Sequence, residues 1–200
     1  MWDIRVSRDD PCLEIPFPGL TEKIRILNLE MILVTSNPTS KIDVHKMHVV
    51  DMRNGSFVQK IESPKDPGIQ GPGNYGVKSI ANAGDRIVVS YNSTYGSGML
   101  AEFSLSRNEF IHTTLVRKDP RPQFSRIEVC DSMILAGARE QKPYAAAGCH
   151  DTYDYVHFIH GCSFKTLGKL ELPRVYTPWD YKDKRFVFKT FENKLNIVDF

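Results

Sequence analysis

The residues best suited to chemistry lie close together near the centre of the second half of the chain. They are thiols, imidazoles and one carboxylate: Cys149, His150, Asp151, His157, His160 and Cys162. Thiolates and imidazoles are common zinc ligands, but a tetrahedral site needs four of them at one point. The chain has no closely spaced cysteine pair, and on a strand His157 and His160 would point to opposite faces. We therefore expect a polar loop and a half-buried strand here, with no metal and no cofactor.

Other catalytic patterns are weaker still. No Gly-x-Ser-x-Gly elbow occurs, and no cysteine stands out as reactive. The glycine-rich segment 71–76 precedes an expected strand, whereas a phosphate-binding loop needs a helix N-terminus. Asp151, Asp154 and Asp180 are expected to be surface carboxylates and not a glycosidase pair. The sequence therefore predicts no catalytic residues.

The elements that would position these residues recur along the chain at intervals of roughly fifty residues. Each unit contains a short apolar run followed by a polar turn, and the runs begin at Glu30, Asp85, Ser132 and Arg185. A repeat of this length indicates a solenoid, a propeller or an array of small units. The spacing therefore sets the expectation for the whole fold.

Each complete repeat is predicted to fold as four strands. The expected strands are 23–28, 31–36, 46–51 and 57–61, then 77–81, 87–91, 99–105 and 110–116, then 124–129, 133–138, 155–160 and 168–172. Asn54-Gly55 predicts a type I′ hairpin turn, because both residues tolerate positive φ. A long loop is expected at 140–154. No sustained helical periodicity occurs, so helix content should be very low.

Partial units flank the three complete ones. Two strands are expected at 2–5 and 12–15, and three more at 174–176, 186–191 and 195–200. The repeat units are then 1–18, 19–66, 67–120, 121–173 and 174–200, within one region, 1–200. Short, evenly spaced strands predict an all-β fold: a β-propeller, or a partial propeller, of about four four-stranded antiparallel blades.

A Trp-Asp dipeptide and two degenerate copies connect the repeats with a known family. Trp2-Asp3, Val50-Asp51 and Val198-Asp199 resemble the dipeptide that closes the third strand in WD-repeat propellers. The chain departs from that family in lacking a Gly-His dipeptide and in having repeats longer than roughly 40–45 residues. It is also similar to the divergent propellers that follow an F-box in ubiquitin-ligase substrate receptors. The resemblance implies a non-catalytic protein-interaction scaffold or adaptor that recruits substrates to such a complex.

Two alternatives stay open at this point. The first is an enzyme, most naturally a hydrolase, whose active site lies in the central channel of the propeller. The second is a closed four-bladed ring, which would have to leave out one strand, because seventeen expected strands are one more than four blades hold. We therefore expect this chain to be part of a larger propeller, completed by the remainder of that propeller or by a second copy of itself.

Composition narrows the choice of partners. The chain has 26 basic and 24 acidic residues, a net charge of +2, which argues against a nucleic-acid-binding surface. No stretch reaches the roughly 20 apolar residues that span a bilayer. Few, unclustered cysteines and a charged N-terminus predict a cytoplasmic protein, with the nucleus as the alternative. The partners are therefore expected to be other proteins, with neither nucleic acid nor membrane among them.

The residues expected to bind a partner lie on loops that gather on one face of a propeller. Tyrosine, tryptophan and arginine dominate interface hot spots because they offer large contact areas and directional hydrogen bonds. The loops carry Tyr75, Arg117, Arg121, Tyr144, Arg174, Tyr176 and Trp179. For Tyr176 and Trp179 the alternative is packing between neighbouring blades, and for the arginines it is simple solvation.

Overall fold

Fifteen strands and no helix make up the part of the chain that the computed structural model describes. The described residues are 21–36, 46–64, 75–93, 98–115, 122–130, 132–143, 150–172, 179–182, 185–189 and 194–199. The strands are β1 (Thr21–Ile26), β2 (Met31–Ser36), β3 (Lys46–Asp51), β4 (Phe57–Glu62), β5 (Tyr75–Ala83), β6 (Arg86–Ser93), β7 (Gly98–Ser104), β8 (Glu109–Leu115), β9 (Pro122–Cys130), β10 (Met133–Pro143), β11 (His150–His160), β12 (Thr166–Leu172), β13 (Trp179–Lys182), β14 (Arg185–Lys189) and β15 (Leu195–Asp199). No helix in these ranges is long and apolar enough to cross a membrane.

The strands form four antiparallel sheets in which each strand pairs with its neighbours along the chain. The first sheet contains β1 to β4, the second β5 to β8, the third β9 to β12 and the fourth β13 to β15. This arrangement confirms the predicted all-β fold of four-stranded blades. The chain divides into two compact units, Met1–Asn74, which holds the first sheet, and Tyr75–Phe200, which holds the other three.

The hairpin between β3 and β4 was predicted, but its turn differs in detail. Gly55 has a φ of 72°, whereas the φ of Asn54 is not positive. A type I′ turn needs positive φ at both residues, so the prediction of that turn type is wrong. The Gly55 amide donates to the Asp51 carbonyl at 2.8 Å, and the Asp51 amide donates to the Ser56 carbonyl at 3.0 Å. The side chain of Asn54 instead accepts a hydrogen bond from the Ser56 amide at 2.9 Å. A longer loop ending in a left-handed glycine therefore connects the strands.

The apolar runs of the repeats are central strands that are buried on both faces. In β10, Ile134 and Ala136 belong to a core shared with the second sheet, while Leu135 belongs to a core shared with the fourth sheet. Alternate residues of a strand point to opposite faces, so a continuous apolar run fits a strand between two neighbouring sheets. In β2 of the first sheet, the consecutive residues Leu33 and Val34 are likewise both buried.

Two sequence expectations need correction in the second compact unit. The loop expected at 140–154 is mostly strand, because β10 continues to Pro143 and β11 begins at His150. The ends of these two strands contain many polar residues, so they lack the apolar run by which strands were predicted. The first strand of the fourth sheet is Trp179–Lys182, and the strand expected at 174–176 lies outside the described residues, as do those at 2–5 and 12–15.

The second and third sheets are in close contact at Gly98, the first residue of β7. A Cβ atom added to Gly98 would overlap the carbonyl oxygen of Pro122 and would lie 2.7 Å from the ring of Phe124. Both neighbours belong to β9, and Phe124 is itself buried. The absence of a side chain at Gly98 therefore allows β7 and β9 to come into contact.

We predict that Gly98→Ala destabilises the chain by about 1–3 kcal/mol, because the added methyl group overpacks this contact. Gly168→Ala is the matched control, since a Cβ atom at Gly168 in β12 meets nothing within 4 Å. Urea unfolding followed by circular dichroism measures both. Equal stabilities of the two variants would contradict the observed packing of β7 against β9.

Candidate binding pocket in the second compact unit

The first strand of the second sheet contains a β-bulge. The pairing of β5 with β6 shifts register between Val77 and Ser79, which leaves Lys78 as an extra, unpaired residue. A bulge bends its strand and redirects the side chain of the extra residue. Lys78 is exposed while Val77 is fully buried.

The first strand of the third sheet contains a bulge at the matching position. The register of β9 against β10 shifts so that Ser125, between Phe124 and Arg126, is the extra residue. In both strands the buried residues that flank the bulge are three positions apart, Phe124 with Ile127 in β9 and Val77 with Ile80 in β5. This spacing departs from strict alternation, and it is the signal in the sequence that could have located the bulges.

The third sheet ends at β9, so the outer backbone groups of β9 have no partner within their own sheet. The side chain of Asn92, in β6, supplies the missing partners. Its Nδ2 donates to the Phe124 carbonyl at 2.8 Å, and its Oδ1 accepts from the Phe124 amide at 2.8 Å. Oγ of Ser79, in β5, accepts from the Ile127 amide at 3.1 Å. Two side chains of the second sheet therefore cap the edge of the third.

Arg126 caps the edge of the fourth sheet in the same manner. Its Nη1 donates to the Trp179 carbonyl in β13 at 2.6 Å, and its guanidinium carbon lies 4.6 Å from the centre of the Trp179 ring. Its Nη2 lies 3.2 Å from Asp180 and 3.0 Å from Glu128. Arg126 directly follows the bulge of β9, as Ser79 follows the bulge of β5. The repeats thus use one strand position to bind the next sheet.

The indole of Trp179 occupies the space left by a glycine. A Cβ atom added to Gly137, in β10, would lie 3.2 Å from Nε1 of Trp179 and 3.1 Å from Oγ of Ser125. The Trp179 side chain is buried and belongs to the core between the third and fourth sheets. Trp179 therefore packs between neighbouring sheets, which was the alternative that the sequence analysis gave for this residue.

A pocket of about 330 Å³ opens beside these capped edges. It is lined by both bulged residues and by residues from seven strands in total: Lys78, Asn92, Gln123, Phe124, Ser125, Gly137, Ala138, Arg139, Asp154, Tyr155, Leu172 and Trp179. Pockets of roughly 300–1,000 Å³ are typical of ligand sites in proteins. This one is the candidate functional site of the second compact unit.

The polar groups of the pocket differ in whether they already have partners. Nε of Arg139 donates to Oδ1 of Asp154 at 3.2 Å, and both side chains are largely buried. The hydroxyl of Tyr155 donates to Glu171 at 3.2 Å. Lys78, by contrast, makes no ion pair or hydrogen bond through its ammonium group within the described part of the chain. Its charge is therefore available to a ligand.

A buried carboxylate with two basic neighbours lies on the same sheet. Oε2 of Glu140 is 2.8 Å from Nζ of Lys169, and Oε1 is 3.0 Å from Nε2 of His157. Although Nε2 of His157 is close to Oε1 of Glu140, the two groups are not aligned as in a good hydrogen bond. The rings of Phe124 and Tyr155 complete the surroundings of the imidazole. Burial lowers the pKa of His157, and the opposing pull of Glu140 only partly offsets that effect.

The candidates for metal binding and acid–base chemistry are spread over different surroundings. His157 faces Glu140, whereas Nδ1 of His160 accepts from the Ser163 amide at 3.2 Å. Cys162 is exposed. Within the described ranges no three histidine, cysteine, aspartate or glutamate side chains form a cluster suited to a metal ion. Cys149 lies outside those ranges.

The three aspartates considered for glycosidase chemistry lie in different surroundings. Asp154 lines the pocket and pairs with Arg139, so its largely buried carboxylate is not the surface group that the sequence predicted. Asp180 is exposed and pairs with Arg126. Asp151 lies in β11.

Two of the predicted partner-binding residues fall within the described ranges. Trp179 lines the pocket from its buried position, and Tyr75 is the first residue of β5. The others lie outside the described residues: Arg117, Arg121, Tyr144, Arg174 and Tyr176. Sequence reasoning missed Lys78, Gln123 and Arg139, because it searched the loops and these residues lie on strands.

Comparison with known proteins identifies similar folds. No protein-family model and no curated protein sequence matches this chain. Among solved structures, the computationally designed Ika4 protein is similar with a TM-score of 0.59 at 8% identity, over 95% of this chain and 98% of Ika4. Saccharomyces cerevisiae Sqt1 is similar with a TM-score of 0.51 at 8% identity, over 85% of this chain and 41% of Sqt1. Pyrococcus horikoshii acylaminoacyl peptidase has a TM-score of 0.59 at 10% identity, over 85% of this chain and 27% of the peptidase.

At these identities the likeness shows the fold alone. The antiparallel sheets of this chain, with strands in sequence order, are of the kind that forms propeller blades. The chain spans less than half the length of Sqt1 and about a quarter of that of the peptidase. Because one of these neighbours is an enzyme by name, the fold by itself does not decide whether the chain is catalytic. The structure therefore defines a protein built from propeller-type blades.

We predict that His157→Gln flattens the pH dependence of stability below about pH 6.5, the ordinary pKa of histidine. Burial holds the pKa of His157 below its ordinary value of 6.5, so the unfolded chain takes up the proton first. The wild-type chain should therefore lose stability as the pH falls below that value, and the variant should lose less. Urea unfolding across this range measures the difference.

His48→Gln serves as the comparison variant for this prediction. Burial and the charges of Lys60 and Lys46 lower the pKa of His48 in the first compact unit as well. The double variant should therefore have the flattest profile of all. A His157→Gln profile as steep as that of the wild type would show that the imidazole is not held neutral by burial.

Proposed function

We propose that this chain is a non-catalytic interaction module that binds a partner protein through the pocket of the second compact unit. The lining of the pocket carries the proposal. Phe124, Tyr155 and Trp179 line it together with Lys78, whose ammonium group has no partner among the described residues. Aromatic residues are enriched among those that dominate binding energy at protein interfaces, and these three are held rigidly because they are buried.

The position of these residues on strands supports the proposal further. Phe124 is fixed through both of its backbone groups by Asn92, and the indole of Trp179 is fixed between Arg126 and Gly137. Side chains that are already ordered lose little conformational freedom on binding, which favours affinity. The pocket is therefore preorganised for a ligand.

We extend this proposal to the role of an adaptor in a larger assembly. The WD-repeat-like features of the sequence support recruitment of a protein substrate, as in a ubiquitin-ligase complex, and this part rests on analogy of fold. The proposed partners are proteins, not nucleic acids or membranes, because the net charge of +2 gives no basic excess. Few, unclustered cysteines support a location in the cytoplasm or nucleus.

Site-specific photo-crosslinking in cells tests the proposal. A photoreactive phenylalanine analogue replaces Gln123, which lines the pocket, in the full chain. The matched control carries the analogue in place of Leu167, an exposed residue of β12 outside the lining. We expect a discrete protein adduct from position 123 and none from position 167, because only the former touches the partner.

Two results would contradict the proposed function. One is an adduct pattern at position 123 that is no stronger than at position 167. The other is turnover of ester or amide substrates by the purified chain that is lost when Tyr155 is changed to Phe, which would favour the hydrolase alternative.

A further inference from the structure

On the basis of the proposed function, we infer that the pocket takes an extended peptide of the partner in which a carboxylate side chain is adjacent to one apolar side chain. This assigns a chemical class to the ligand, which the proposed function leaves open. Charge, shape and the free hydrogen-bonding groups of the lining each contribute to the assignment.

The charge of the lining favours an anion. Its ionisable groups are Lys78, Arg139, Asp154 and Tyr155. Asp154 accepts a hydrogen bond from Arg139, so that pair is neutral overall. Lys78 is left as an uncompensated cation, and the bulge in β5 is what brings it to the pocket. A carboxylate is the complementary group in a protein partner.

The apolar residues of the lining favour an apolar side chain in the ligand. Phe124, Ala138, Leu172 and Trp179 are buried apolar residues that contribute to the lining. A cavity of about 330 Å³ holds one or two side chains and is too small for a helix, which is about 10 Å across. An apolar residue directly next to the acidic one in an extended segment therefore fits the pocket.

A free amide group completes the site for a peptide. The side chain of Gln123 makes no hydrogen bond within the described ranges, although it lines the pocket and is half-buried. An amide offers both a donor and an acceptor, which is the pair of groups that an extended peptide backbone presents. A small carboxylic acid would leave this amide without a partner.

Fluorescence anisotropy on the full chain tests the assignment with three labelled hexapeptides. Their sequences are Ser-Gly-Glu-Leu-Gly-Ser, the charge-inverted Ser-Gly-Lys-Leu-Gly-Ser, and Ser-Gly-Glu-Ser-Gly-Ser, which lacks the apolar side chain. We expect the first peptide to bind, and the other two to bind at least about tenfold more weakly. Raising the salt concentration should weaken binding of the first peptide, because the pairing with Lys78 is partly exposed.

Two charge-reversal variants locate the contact. Lys78→Glu should weaken binding of the Glu-Leu peptide by about tenfold, because it replaces attraction with repulsion. Lys165→Glu is the matched control: Lys165 is an exposed lysine of the same compact unit outside the lining, and its reversal should change the affinity by less than about twofold. Both changes are at exposed positions, and circular dichroism checks that both variants fold.

Three outcomes would overturn the inference. They are equal binding of the Lys-Leu peptide, unchanged affinity in Lys78→Glu, and absence of binding by any of the peptides. Displacement of the peptide by 4-methylpentanoate at equal concentration would instead assign the pocket to a free carboxylic acid. An adduct at position 123 that persists in Lys78→Glu would overturn the assigned ligand class and leave the proposed function intact. Absence of an adduct from position 123 in the chain that keeps Lys78 would contradict the proposed function itself.

Discussion

The edge of the third sheet is the constraint on which the rest of the second compact unit depends. Phe124 lies in an edge strand, and its backbone amide and carbonyl point away from their own sheet. A buried backbone group without a partner costs about 1–3 kcal/mol. Asn92 removes this cost because its side-chain amide, like a backbone peptide group, donates one hydrogen bond to Phe124 and accepts another from it. Together with Ser79, Asn92 gives the outer backbone groups of Phe124 and Ile127 partners where the second sheet meets the third.

The same device repeats one sheet further along and determines where the pocket forms. Arg126 caps β13 through the Trp179 carbonyl and stacks on the indole, so the fourth sheet is bound to the third by both a hydrogen bond and a cation–π contact. Bulges in β5 and β9 bend the strands beside these caps and bring Lys78 and Ser125 to one cavity. The candidate site of the second compact unit is therefore formed by residues that lie on strands.

The fold could be predicted from the sequence further than the pocket could. The strands Met31–Ser36 and Lys46–Asp51 match their predicted bounds, because short apolar segments bounded by polar turn residues are a direct sign of a strand. The hairpin of β10 and β11 was missed where its residues turn polar. The pocket draws on seven strands, so only the packing of three sheets brings Lys78 near Trp179. The three-residue spacings of Val77 with Ile80 and of Phe124 with Ile127 were the local signs of the two bulges.

Hydrogen exchange at the Phe124 amide of the full chain tests the central claim most directly. If Asn92 caps the edge, this amide is protected in the wild type, and Asn92→Leu removes the protection while the Ile127 amide, which bonds Ser79, keeps it. A Phe124 amide that exchanges in the wild type as fast as an unprotected amide would contradict the account. So would protection that Asn92→Leu leaves unchanged.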